Sequence, residues 1–226
     1  MTEANNEYIE IAIFPIPGCI CFPLSVMPLH IFEPRYRAMI KDCVRLGRRI
    51  GVSHTVKKVS SAKPNQTRGE ILNSNQDTYQ PEKIFSAGFA EIEDITADGR
   101  MGVKIMMDAR YELVEEIQTL PYNIYRCRIF ADKKINDIEN IEIENKDLKL
   151  KVLQHLQAQL VSSSDDVQEL FEPSNWESLN LDDFSFKIFS VVRLEPELMQ
   201  AVLEMQSAES RLNSLLRVLN QNMVEN

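Results

Sequence analysis

The chain has 226 residues, 44% hydrophobic and 26% charged, enough apolar material to pack one large domain or two small ones. Its formal net charge of −9 is uneven, with 16 basic and 16 acidic residues up to Ala131 and 9 and 18 beyond. An acidic chain repels phosphate, which argues against a nucleic-acid partner, and no apolar run nears the roughly 20 residues of a bilayer span.

The segment from Ile11 to Tyr36 carries five prolines (Pro15, Pro17, Pro23, Pro28, Pro34) between short apolar runs. Proline lacks a backbone donor and sits at strand ends, edges and corners, so this spacing predicts very short strands in a small, irregular β-barrel. Strands are expected at Ile9–Phe14, Cys19–Phe22 and Val26–Ile31. Pro34 then opens a helix to about Leu46, with Tyr36, Met39, Ile40, Cys43 and Val44 on one face and Gly47 as its C-cap.

Ile50–Thr55 reads as the next strand. Lys57–Glu82 is rich in Lys, Ser, Asn, Gln and Pro, keeps no period, and reads as a long functional or irregular connection. Strand pattern returns over Lys83–Glu93, and Asp98-Gly99 marks a hairpin. Gly102–Met107 and Arg110–Glu116 read as two further strands, and the alternating run Tyr122–Phe130 closes the β part.

Ala131–Lys146 is charged and reads as a linker. Beyond it the hydrophobic period changes from 2 to 3.6. Leu148, Val152, Leu153, Leu156 and Leu160 mark one helix; Leu181–Val192, with Phe184, Ile188, Val191 and Val192, marks a second. Pro196 opens a third, with Leu198, Val202 and Met205, and Ser207 N-caps a fourth carrying Leu212, Leu215, Leu216 and Leu219. The fold class expected is α+β: a β subdomain over residues 8–131 and a helical bundle over 146–222.

Four elements of the first block stand in a characteristic order: an apolar-Phe-Pro, a second Phe-Pro, Pro28-Leu29-His30, and Ile31-Phe32-Glu33-Pro34-Arg35-Tyr36. In this order they resemble the N-terminal domain of Lon, the ATP-dependent protease. Ser86-Ala87-Gly88-Phe89-Ala90, Asp98-Gly99-Arg100, Arg110-Tyr111-Glu112-Leu113, and Leu203-Glu204-Met205 with Arg211-Leu212 continue the resemblance along nearly the whole chain. It extends to the related Lon-like domain of cereblon. The resemblance implies a β pseudo-barrel of the PUA-like kind followed by a helical subdomain, and a role in recognising and holding protein substrates.

No Gly-x-x-x-x-Gly-Lys-Ser/Thr phosphate loop occurs, and nothing resembles Lon's Ser-Lys peptidase segment. A non-enzymatic, stand-alone domain of the Lon N-terminal kind is therefore expected, without cofactor. The start MTEANNEYIE has neither the basic nor the apolar region of a signal peptide, so a cytoplasmic location with reduced thiols is expected.

Cys19-x-Cys21 with His30 and Cys43 offers metal-type ligands, but there is no second close pair, and cysteine commonly serves as a small buried hydrophobe. The expectation is no metal. His30, His54 and His155 stand in no arrangement with a nucleophile, and His30 is expected to pack or bond within the barrel wall. Glu33, Pro34, Arg35 and Tyr36, with His30 and Phe32, read as a structural motif: Pro34 starts the helix, Glu33 faces its positive end, Arg35 pairs with a carboxylate and Tyr36 fills the core. Arg37, Lys41 and Arg45 form a basic stripe at i, i+4, i+8. It reads either as a solvated face or as a patch for an acidic partner, including another copy of the chain.

Candidate polypeptide contacts are Phe22, Leu24 and Met27, with Arg37, Lys41 and Arg45, beside the Lys57–Glu82 segment. The partners expected are unfolded or partly folded proteins, with no nucleic acid and no membrane. The other readings are an adaptor that docks on a protease or chaperone, or a PUA-like module for a small molecule or RNA.

Overall fold

Alternating side chains in Ile9–Pro15 go to two different cores, so the strand is apolar almost throughout. In the structure, a computed structural model that describes residues 8–61, 77–133, 141–159 and 171–224, this is strand β1. It is followed by β2 (Val26–Ile31), helix α1 (Pro34–Leu46), β3 (Ile50–Ser53), β4 (Thr55–Ser60), β5 (Thr78–Pro81), β6 (Ile84–Ile95), β7 (Met101–Gln118) and β8 (Ile124–Ile129). Among the described residues, five α-helices with a mixed sheet make the fold α+β, the class the sequence predicts.

The main sheet runs β2-β7-β6-β3-β1-β8, and β7 also pairs with β8. Strands β7, β6, β3, β1 and β8 thus close a ring, with β2 attached to the first half of β7. Ile11, Ile13, Phe85, Ala87, Tyr111 and Cys127 cluster inside it. Gly51 of β3 leaves room for Phe85, whose ring carbon would lie 2.3 Å from a Cβ there. The second core lies on the other face, where Tyr36, Met39, Ile40 and Cys43 of α1 meet Ile31, Met101, Val103, Ile105 and Met107.

The sheet switches between these cores at one bulge. Odd-numbered Met101 to Met107 face α1, whereas Tyr111 faces the ring interior. Asp108 is the extra residue, because Ala87 pairs with Ala109 and Gly88 with Met107. One inserted residue moves all later side chains to the opposite face. What reads as two strands, Gly102–Met107 and Arg110–Glu116, is therefore one continuous strand with a phase shift. Opposite it, Gly88 approaches β7 so closely that a Cβ would lie 1.7 Å from the Met106 carbonyl oxygen.

Two further strand expectations are corrected. Cys19–Phe22 is not a strand: Ile20, Cys21 and Phe22 are buried without a ladder, and Ser25 N–H closes a turn on the Phe22 carbonyl. The flanks of Lys57–Glu82 are not irregular, since β4 and β5 pair antiparallel; residues 62–76 lie outside the described residues. Gly47 caps α1 in the left-handed region (φ 62°) with its N–H on the Cys43 carbonyl, as expected.

Two compact units divide the chain: one runs to Ala131 and includes Leu194–Gln200, the other comprises 132–193 and 201–226. The second unit holds α2 (Ile141–Gln159), α3 (Leu181–Lys187, continued by a 3₁₀ turn over Ile188–Ser190), the end of α4 (Pro196–Leu203) and α5 (Ala208–Val224). Val152, Leu156, Phe184, Ile188, Leu212, Leu215 and Leu219 are buried, the helical faces the period predicts. In α4 the buried residues are Met199, Val202 and Leu203, and Leu198 is only half-buried. Leu160 lies outside the described residues. Ser207 accepts from Ser210 N–H at 3.1 Å and caps α5 as predicted; Asn180 caps α3 in the same way, accepting from Asp183 N–H at 2.8 Å. Arg211 is fully buried: its guanidinium holds both Asp132 oxygens (2.7 and 2.6 Å), Ser185 Oγ (2.9 Å) and the Met205 carbonyl (3.0 Å).

Candidate polypeptide-binding surfaces

Where β2, β7 and β6 run beyond the closed ring, one face of the sheet lacks a cover of its own. Val26 lies opposite Met106, and Met106 opposite Phe89. All three are exposed, at 55%, 50% and 39%. Leu24, also exposed, joins this strip from the turn before β2, where its backbone takes a positive φ (65°) and its N–H bonds the Met107 carbonyl. That conformation is uncommon for leucine. The Arg49 guanidinium stacks 4.5 Å from the Phe89 ring and is held there by Asp108 at 2.7 Å. Opposed large apolar side chains on a solvent face bury area as soon as a partner covers them.

Leu24 is thus a candidate that the structure places on exposed surface. Phe22 is buried and Met27 is half-buried against the α1-side core, so neither offers open surface. Val26, Met106 and Phe89 carry no signal in the sequence: each sits in an apolar run, and the face it takes depends on the bulge at Asp108.

The outer edge of β2 is protected. Met107 donates to the Ser25 carbonyl, so by antiparallel alternation Met27, Leu29 and Ile31 bond β7 while Val26, Pro28 and His30 point their backbones at the free edge. Pro28 has no N–H to offer a further strand there. His30 is exposed on this strand, not packed in the wall as expected, because its register puts it on the solvent face.

A second surface is a cleft of about 490 Å³ in the same unit, formed by the start of α1, by β5, and by the β7–β8 connection. Its walls include Tyr36, Tyr79, Tyr122 and Tyr125, Arg35, Glu116, Asn123, Pro15 and Pro121, with Leu120 (81% exposed) and Val59 (63%) at its rim. Burial pushes the Tyr36, Tyr122 and Tyr125 phenols up to about 12, so they remain neutral donors. Asn123 Nδ2 donates to Glu116 Oε1 at 3.0 Å.

The Glu33–Tyr36 motif builds one end of this cleft. Arg35 Nη2 pairs with Glu33 Oε2 at 2.9 Å, its Nη1 donates to Thr78 Oγ1 (2.8 Å) and its Nη2 to the Asp77 carbonyl (2.9 Å). Tyr36 is buried against Phe14 (ring centroids 4.0 Å) under the Arg35 guanidinium (4.6 Å). The motif therefore ties α1 to β5, as its residue types suggest. Phe32 is half-buried.

The basic stripe on α1 is partly neutralised. Arg37 donates to the Asp98 carbonyl (3.0 Å) and so fastens α1 to the β6–β7 hairpin, and Arg45 pairs with Asp42 (3.2 Å). Lys41 is exposed and makes no ion pair among the described residues. Cys21, Cys43 and Cys127 are buried, and desolvation pushes the Cys43 and Cys127 thiols up to about 12, the behaviour of packed hydrophobes rather than of ligands or nucleophiles. Among the described residues no group of three His, Cys, Asp or Glu could hold a metal ion, and no helix is long and apolar enough to cross a membrane.

The helical unit has an opening of about 840 Å³ between α2 and residues 173–181. Lys149 points its ammonium at the Trp176 and Leu179 carbonyls (3.1 and 2.6 Å), which is a structural clasp, and burial lowers its pKa.

The family described as the ATP-dependent protease La (LON) substrate-binding domain matches residues 10–221. The chain belongs to this family. It is 26% identical over 225 residues to Lon protease 2 of Myxococcus xanthus, covering 96% of this chain and 24% of that protein. It is 30% identical over 134 residues to Lon protease 1 of Herpetosiphon aurantiacus, covering 59% and 15%. The chain thus spans about a quarter or less of these relatives, within the Lon substrate-binding domain rather than the protease and ATPase parts. In fold it is similar to the N-terminal domain of the Mycobacterium avium complex Lon protease (TM-score 0.61, 13% identity, 94% and 98% of the two chains). The Lon N-terminal domain protein of Xanthomonas campestris is likewise similar (TM-score 0.57, 15% identity, 92% and 98%). Two residues within the segments that carry the Lon resemblance are tightly constrained: a Cβ on Gly88 would lie 1.7 Å from the Met106 carbonyl oxygen, and Arg211 is fully buried.

Proposed function

We propose that this chain is a non-catalytic polypeptide-binding module that holds unfolded or partly folded protein segments on its β subdomain. The observation that supports this reading is the exposed strip Leu24, Val26, Met106 and Phe89, on a domain whose family is described by substrate binding. An unfolded segment laid across the strip covers apolar side chains on both partners, and each fully covered large side chain contributes about 1.5–3 kcal/mol before ordering costs. The β2 edge, blunted by Pro28, favours side-chain capture over strand addition.

The test is fluorescence anisotropy with a labelled, permanently unfolded protein, at low and high salt and without ATP. Binding should survive high salt and fall at least about tenfold in Met106→Glu. Binding that vanishes with salt would move the contact to Arg37, Lys41 and Arg45. No binding at all would favour the adaptor reading, in which the strip docks on a folded machine.

A further inference from the structure

The tyrosine-lined cleft is chemically unlike the apolar strip. Its open half presents the half-buried rings of Tyr79 and Tyr125 and the exposed side chain of Leu120, with the Glu116 carboxylate among them. Glu116 is set in place: it lies directly across from Tyr125 in the β7–β8 ladder and accepts from Asn123 at 3.0 Å. It makes no ion pair among the described residues. The cation in the cleft, Arg35, is already matched by Glu33 and donates to Thr78 and Asp77. The charge left to a visitor is therefore negative, beside aromatic faces. Aromatic faces attract cations through the ring quadrupole, and a carboxylate beside them adds a charge-assisted hydrogen bond. The Tyr79 and Tyr122 phenols donate to Asp77 (3.2 Å) and Asp42 (3.0 Å), and the Tyr125 phenol bonds Glu116, so the cleft offers a visitor ring faces rather than free donors; aromatic-lined grooves accept the polyproline conformation at low entropic cost.

Resting on the polypeptide-binding reading above, we infer that this cleft is a specificity site for an extended, proline-containing peptide segment that inserts an arginine or lysine side chain between the tyrosines against Glu116. The apolar strip holds a client without regard to charge; the cleft selects basic segments from it.

Three labelled peptides of alternating glycine and proline, with a central arginine, leucine or glutamate, are titrated by anisotropy, and the permanently unfolded protein is titrated in parallel. The arginine peptide should bind about tenfold more tightly than the leucine peptide, and the glutamate peptide weakest. Glu116→Gln should erase the preference for arginine while leaving the melting temperature unchanged, because Glu116 is exposed. Tyr79→Ala should weaken all three peptides. Equal binding of the arginine and glutamate peptides, or a preference that survives Glu116→Gln, overturns the site. If no peptide binds while the unfolded protein does, the cleft inference fails and the polypeptide-binding reading stands; if neither binds, both fail.

Discussion

Gly88 shows how one residue carries the β subdomain. The bulge at Asp108 brings the two strands so close that a Cβ at Gly88 would meet the Met106 carbonyl at 1.7 Å, and backbone cannot step aside as a flexible side chain can. Gly88→Ala should therefore destabilise the protein by at least about 1–3 kcal/mol, read as the midpoint of urea unfolding. An unchanged midpoint would mean that the bulge relaxes. Glu112 gives a pH-dependent counterpart. Arg128 Nε (2.6 Å) and Lys83 Nζ (2.8 Å) hold its carboxylate and lower its pKa below the usual 4.5. A lowered folded-state pKa adds stability that is fully present above the unfolded value and is lost as pH falls through the folded one. Wild type should thus exceed Glu112→Gln in melting temperature at pH 7, with the gap closing below about pH 4.5. A gap constant down to strongly acid pH would show that the pair adds nothing.

At the scale of elements, the helices were legible because a 3.6-residue period survives in a one-dimensional reading, and caps such as Ser207 and Gly47 mark their ends. The strands were legible only in part: Cys19–Phe22 is no strand, two expected strands are one β7, and β4 and β5 gave no period to read; their facing was not legible at all. Asp108 looks like any exposed polar residue, yet it reverses which side chains of β7 enter which core, and with that which apolar residues are left outside. Phe22 and Leu24 sit two residues apart with similar chemistry; the turn between them buries one and exposes the other. The cleft was illegible for another reason: Tyr36, Tyr79, Glu116 and Tyr125 come from α1, β5 and the β7–β8 ladder, far apart in the chain, and the fold brings them together. Pro28, by contrast, was readable as an edge residue from its type alone. Pro28→Val should restore a backbone donor to the free edge of β2. Greater concentration-dependent association than wild type in light scattering is the expected result, and identical association would show that the edge is blunted by something else.

At the scale of the molecule, the sequence carries one tryptophan, and it reports on one unit only. Trp176 is buried in the helical unit, edge-on to Phe184 at 5.4 Å, whereas the tyrosines with raised pKa values all lie in the β unit. Each unit has its own apolar core, which by itself permits separate unfolding. Against that, the chain leaves the helical unit at Leu194–Gln200 to join the first, where Gln200 Nε2 donates to the Ile84 carbonyl at 2.9 Å, and then returns. Arg211 decides between the two. Removing a fully buried guanidinium leaves Ser185 Oγ and the Met205 carbonyl without their donor and the part-exposed Asp132 carboxylate unpaired, a loss of about 3 kcal/mol. Arg211→Ala should therefore lower the urea midpoint of Trp176 fluorescence by the corresponding amount. If the units are thermodynamically separate, the far-ultraviolet signal of the strands keeps a second transition at the wild-type midpoint. A single transition, shifted equally in both signals, would instead mean that the Leu194–Gln200 excursion couples the units into one cooperative fold.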